Sequence, residues 1–251
     1  MNIVPVDTEV TLGYGLDFRA DRYGISEACI QQIYATKADL STSDTAIDNI
    51  NSYYFPSTAE TIQFSSSNNS DTMTLAVIYF GSSSDTTTTT TTVTLTGQTP
   101  VTLGVSVYRI NRITVISTIN AGTVYMYKSG TSVSSGVPSS NILCCIAPGI
   151  GYSRQSFLYV PYGWTAYLIS MKLLSNASTS NTINLTAYRQ SAAITLPVQD
   201  IPVNAAFIEF EENGAPGIAA NTTYQIVANK ANVLNTAKFT ILYNFVLLRT
   251  T

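Results

Sequence analysis

From Glu60 onward the apolar residues of this chain recur at every second position, a period that dictates strands rather than helices. The last segment shows it best: Phe239, Ile241, Tyr243, Phe245 and Leu247 fall on one face, Thr240 and Asn244 on the other. Tyr167, Ile169, Met171 and Leu173 alternate with Ser170 and Lys172, and Tyr224, Ile226 and Ala228 with Gln225 and Asn229. Composition agrees. Ser and Thr together supply 62 of 251 residues and charged residues only 11 %, against roughly 25 % charged in an average domain. Thr, Val, Ile and Tyr suit a pleated, half-buried surface. The fold class this implies is all-β.

Turn-forming clusters divide the chain. Candidate strands at 61–66, 73–81, 88–96, 105–117 and 122–128 are separated by SSNNSD, GSSSD and TGQTP. The seven-threonine run Thr86–Thr92 continues into the alternating Val93-Thr94-Leu95-Thr96, so it reads as an exposed strand. Residues 1–58 look different: Ser26 caps an expected short helix carrying Cys29, Ile30, Ile33 and Tyr34, within an otherwise polar N-terminal arm. The expected layout is that arm (1–58), a small β-sandwich (59–130), a linker (131–141) and a jelly-roll-like β-sandwich of about eight strands (142–251), with a hairpin turn at Asn213-Gly214.

The chain holds no histidine. This excludes Ser-His-Asp and Cys-His nucleophiles, His-ligated zinc and imidazole acid–base chemistry. Carboxylates are unevenly placed: residues 1–85 carry a net charge of −8, whereas 86–199 have none and carry Arg109, Arg112, Lys128, Arg154, Lys172 and Arg189. Such asymmetry favours head-to-tail contacts between copies. These basic residues are scattered singly and the net charge is −3, so no nucleic-acid surface is expected. The amino terminus does not read as a signal peptide, and no apolar run is long enough for a membrane helix. Cys29 and the vicinal Cys144 and Cys145 are expected to be free, buried thiols.

Two constellations could carry chemistry. Glu209, Glu211 and Glu212 form the one tight acidic cluster. Glu209 and Glu211 share a strand face about 7 Å apart, a separation compatible with inverting glycosidase carboxylates or with calcium ligation; a solvated or inter-subunit edge is the plainer reading. Trp164, the sole tryptophan, follows a Pro161-Tyr162-Gly163 turn and precedes Tyr167. With Tyr162 and Tyr167 it could stack on a sugar ring, or pack as an interface aromatic.

Four segments carry a resemblance. Leu95-Thr96-Gly97-Gln98-Thr99-Pro100-Val101, the strand Tyr108–Val115, Asn120-Ala121-Gly122-Thr123-Val124 and Tyr159-Val160-Pro161-Tyr162-Gly163-Trp164-Thr165-Ala166-Tyr167-Leu168 are together similar to virion-associated structural proteins of tailed phages and large algal DNA viruses. The likeness covers about residues 58–251 in the same order and departs from the pattern at Tyr162 and Trp164. It implies a location in the virion and no catalytic residues, cofactor or metal. The expected function is a minor capsid, cement or vertex protein that is not an enzyme. Its partners would be capsid or tail proteins of the same virion and further copies of itself. The alternative is a receptor- or glycan-binding module of a tail or fibre that takes a host glycan. Binding or interface residues under these readings are Tyr162, Trp164, Tyr167, Glu209 and Glu211.

Overall fold

The computed structural model describes residues 2–5, 10–12, 16–18, 25–175, 181–189, 194–203, 207–211, 217–230 and 238–250. Every regular element among them is a strand. The N-terminal part contributes β1 (Asn2–Pro5), β2 (Val10–Leu12), β3 (Leu16–Phe18), β4 (Ile25–Lys37) and β5 (Thr45–Ala46). The central part holds β6 (Glu60–Ser66), β7 (Thr74–Phe80), β8 (Thr89–Thr94), β9 (Val101–Val107), β10 (Arg109–Val115), β11 (Val124–Lys128), β12 (Val133–Ser134), β13 (Val137–Pro138) and β14 (Ile142–Ile146). The C-terminal part holds β15 (Phe157–Val160), β16 (Trp164–Ser175), β17 (Asn181–Arg189), β18 (Ile194–Val203), β19 (Phe207–Glu211), β20 (Thr222–Lys230) and β21 (Phe239–Thr250).

The central strands form a sandwich of two antiparallel sheets, ordered β10-β7-β8 and β14-β11-β6-β9. Ile62, Phe64, Leu75, Val77, Val107, Ile113 and Met126 fill the space between them. Alternation of inward and outward residues makes this possible: in β7 Leu75, Val77 and Tyr79 are buried while Thr74, Ala76 and Ile78 are half-buried. The run expected as one strand over 105–117 is two. Tyr108 interrupts it and donates its N–H to the Phe80 carbonyl, and there the chain leaves the four-stranded sheet for the three-stranded one.

The second sandwich pairs the sheet β1-β4-β21-β16-β19 with β15-β20-β17-β18, and β5 extends the latter beside β20. Its core holds Trp164, Tyr243, Phe239, Phe245, Ile241, Leu158 and Ile226. The N-terminal part belongs to this core. Residues 25–37, where a helix was expected over 26–34, form β4, which runs antiparallel to β21 from Phe239↔Lys37 to Thr250↔Ile25. Cys29, Ile33 and Ala35 are buried at alternate or fourth positions, so the spacing that suggests a helical stripe also satisfies a strand, and pairing with a twelve-residue apolar strand decides it. Leu40 and Ile47 complete the same core.

The central sandwich therefore lies within the connection between β4 and β15. The Ser/Gly-rich segment 129–141, expected as a linker, folds as the hairpin β12–β13 on the central sandwich. Ser135 and Gly136 occupy its turn at φ 48° and 75°, and the Gly136 carbonyl accepts from Ser65 Oγ at 2.8 Å. A Cβ on Gly136 would sit 1.8 Å from the Ser66 carbonyl oxygen, so glycine is required there. The strand Ile142–Ile146, expected in the second sandwich, pairs with β11 in the first.

Candidate functional site

Two constellations were open as functional surfaces, and the structure separates them. Gly163, at φ 76°, turns the chain between Tyr162 and Trp164. Tyr162 is 53 % exposed, whereas Trp164 is 1 % exposed in the core of the second sandwich. The Trp164 indole N–H donates to the Thr86 carbonyl at 2.9 Å, and the Tyr162 N–H reaches the Asp85 carbonyl. Trp164 is thus an anchor between the sandwiches and offers no face to a sugar; of its two readings, packing is the one its burial fits and the sugar platform is not. Tyr167 is half-buried, against a small apolar group of Ile169, Val246 and Leu248.

Glu209 and Glu211 lie on β19, the last strand in the order of its sheet. Register places Lys172 opposite Glu209 and Ser170 opposite Glu211. Lys172 is eight positions along β16 from Trp164, about 27 Å by strand rise. The aromatic and acidic constellations are separate places in the fold. Glu212 and the Asn213-Gly214 turn lie outside the described residues. Among the described residues no three of Cys, Asp and Glu gather as metal ligands.

The joint between the sandwiches holds chemistry that the sequence does not reveal. Asp48 is buried; its carboxylate accepts from Tyr53 Oη at 2.8 Å, Cys145 Sγ at 3.2 Å and the Asn49 N–H at 2.6 Å. Burial pushes its pKa up to about 6, against the opposing pull of these donors and of Lys37. Lys37 Nζ donates to the Asp48 and Ile50 carbonyls, and burial lowers its pKa despite Asp48 nearby. Tyr53 Oη also accepts from the Ser156 N–H at 3.0 Å, which ties this cluster to the strand entering β15. Cys29, Cys144 and Cys145 are buried and take part in no disulfide. Burial raises the Cys144 and Cys145 thiols well above their ordinary value, so they are inert packing groups.

Arg109 fastens the other side of the joint. It is 6 % exposed; Nε donates to Thr223 Oγ1 of the second sandwich at 3.1 Å, and Nη1 donates to the Pro56 and Tyr108 carbonyls. Its guanidinium lies 4.2 Å from the Tyr108 ring centroid and 5.7 Å from that of Tyr159. Pi faces and carbonyl oxygens solvate a buried guanidinium in this way.

One edge of the central sandwich is β8, which among the described residues pairs with β7 alone. Its sequence, Thr-Thr-Thr-Thr-Val-Thr, has no charge and no proline, and no register shift interrupts its pairing from Thr74↔Thr94 to Tyr79↔Thr89. Soluble proteins ordinarily protect an edge with one of these devices.

No protein-family model matches the chain, and no curated protein does. A solved structure of infectious bursal disease virus, Gx strain, is similar over 89 % of this chain and 71 % of that one, at 11 % identity and a TM-score of 0.22. A superposition this loose carries no argument about fold or function. What stands is an all-β chain of several sheets, with a sealed, polar joint between its two sandwiches.

Proposed function

We propose that this chain is a structural component of a virion, a minor capsid, cement or vertex protein that strengthens the shell by β-surface contacts with neighbouring subunits. The observation that carries the reading is strand order. Taking the eight strands β4 and β15 to β21 in chain order, one sheet reads first, eighth, third, sixth and the other second, seventh, fourth, fifth. This is jelly-roll order, an architecture used by viral capsid and lectin domains. A fold hosts many functions, and two further features favour the shell. The resemblance over residues 58–251 is to virion-associated proteins, and the uncharged β8 edge is a template onto which a neighbour's strand can pair. In this reading the chain catalyses no reaction, and many weak contacts act together.

Thr90 and Thr92 are exposed on β8, so Thr90→Lys with Thr92→Lys places two charges on the edge without touching the core. The isolated double variant should unfold at the wild-type midpoint. Virus carrying it should yield particles that lack the chain or break at lower temperature. Normal incorporation and particle stability would remove the edge from the mechanism.

A further inference from the structure

We propose that the cleft between β4 and the β10 side of the central sandwich is a binding site for an acidic saccharide, one sugar ring bearing a carboxylate or sulfate. The cleft encloses about 190 Å³, with Gln31 and Tyr34 on the second-sandwich wall and Asn111, Arg112, Tyr152 and Gln155 on the other. That is below the ~300 Å³ at which drug-sized pockets begin, and fits a single ring-sized group.

Its charge is one-sided. None of the residues lining the cleft is acidic, and the chain from 86 to 199 contains no carboxylate side chain. Two guanidinium groups flank the Tyr152 ring, Arg112 at 4.9 Å and Arg154 at 5.1 Å from its centroid. Arg154 also lies 4.7 Å from the Tyr34 ring. Arg154 does not itself line the cleft; stacked on two rings that do, it adds positive charge behind them. The Arg109 guanidinium, by contrast, is satisfied by Thr223, Pro56 and Tyr108. Similar residues thus have different tasks: Arg109 fastens the joint, Arg112 lines the cleft, and Arg154 stacks on the cleft rings Tyr34 and Tyr152.

The remaining lining selects the ligand class. Arginine fixes carboxylate or sulfate by paired N–H donors. Tyrosine rings offer an apolar face to a sugar, and the side-chain amides of Gln31 and Asn111 can donate to and accept from hydroxyls. The Gln155 amide donates to the Asn111 carbonyl at 2.8 Å and accepts from Ser153 Oγ at 3.2 Å, so this wall is set before any ligand arrives. The proposal does not depend on the virion reading.

The test uses the full chain on an array of sialylated, uronate and sulfated glycans with their uncharged counterparts, followed by NMR titration with the α-methyl glycoside of N-acetylneuraminic acid, sodium acetate, sodium sulfate and polyglutamate. Acidic members should be retained and uncharged ones not. Arg112→Gln should weaken binding roughly tenfold, the cost of one charge-assisted contact. Arg112 is exposed, so Arg112→Gln should keep the wild-type unfolding midpoint and separates binding from folding. Four results would overturn the proposal: no glycan retained; equal retention of uncharged glycans; acetate or sulfate binding as well as the acidic sugar, which leaves a simple anion site; or polyglutamate alone binding, which makes the occupant an acidic protein segment.

Discussion

Replacing Asp48 by Asn should change how stability depends on pH, and by an amount the joint itself sets. The Asp48 carboxyl is fully enclosed, and desolvation raises its pKa from 3.8 to about 6 although Tyr53, Asn49, Cys145 and Lys37 all favour the anion. The folded state therefore holds this proton more tightly than the unfolded state. A raised carboxyl pKa contributes stability that is fully present below the unfolded value and is lost as pH rises through the folded one. The window is about pH 4 to 6. Roughly two pH units at 1.36 kcal/mol each amount to about 3 kcal/mol over the whole window, and to about 2 kcal/mol between pH 4.5 and 7.5. Asn cannot titrate, while its side-chain oxygen can still accept from Tyr53. Urea unfolding of both proteins at the two pH values, followed by the fluorescence of the sole tryptophan, Trp164, isolates the effect, because every other carboxylate cancels in the comparison. The stability of Asp48→Asn relative to wild type should be about 2 kcal/mol more favourable at pH 7.5 than at pH 4.5. A relative stability that is flat with pH, or that moves the other way, would refute the burial argument.

Other consequences follow from the same joint and its surroundings. Arg109→Ala removes three donated hydrogen bonds and the stacking on Tyr108, and should cost about 3 kcal/mol in denaturant unfolding. Gly136→Ala forces a side chain into a left-handed conformation against the Ser66 backbone and should lower stability by more than about 1 kcal/mol, read as a lower urea midpoint. Trp164→Phe should destabilise by about 1–3 kcal/mol through the stranded Thr86 carbonyl and lost packing, whereas the exposed Tyr162→Ala should stay within about 0.5 kcal/mol of wild type.

The strands of the central sandwich are legible in the sequence because each has one wet and one dry face: Thr74–Phe80 and Thr89–Thr94 fall close to the positions their alternation gives. Three segments mislead for identifiable reasons. Cys29 and Ile33 satisfy both a period near four and a period of two, and only the long partner β21 resolves the ambiguity. Tyr108 sits within a continuous alternating run, and the exchange of sheets there depends on its bond to Phe80, 28 positions away. Residues 129–141 have a linker's composition, yet Ser135-Gly136 is a tight hairpin turn whose contacts with Ser65 and Ser66 are long-range. The functional surfaces are less legible still. Trp164 beside a turn reads as exposed, but one glycine decides which neighbouring aromatic points outward. Arg112 and Arg154 stand 42 positions apart, and nothing local marks them as partners across Tyr152.

The central claim is that the chain is built into a particle, and quantitative mass spectrometry of purified virions tests it most directly. Peptides of this chain should co-purify with particles at a fixed ratio to the major coat protein. A ratio corresponding to hundreds of copies or more fits a cement or minor capsid protein spread over the shell, and a few to some tens fits a vertex. Absence of the chain from purified particles, with its presence in infected-cell extract, would contradict the account.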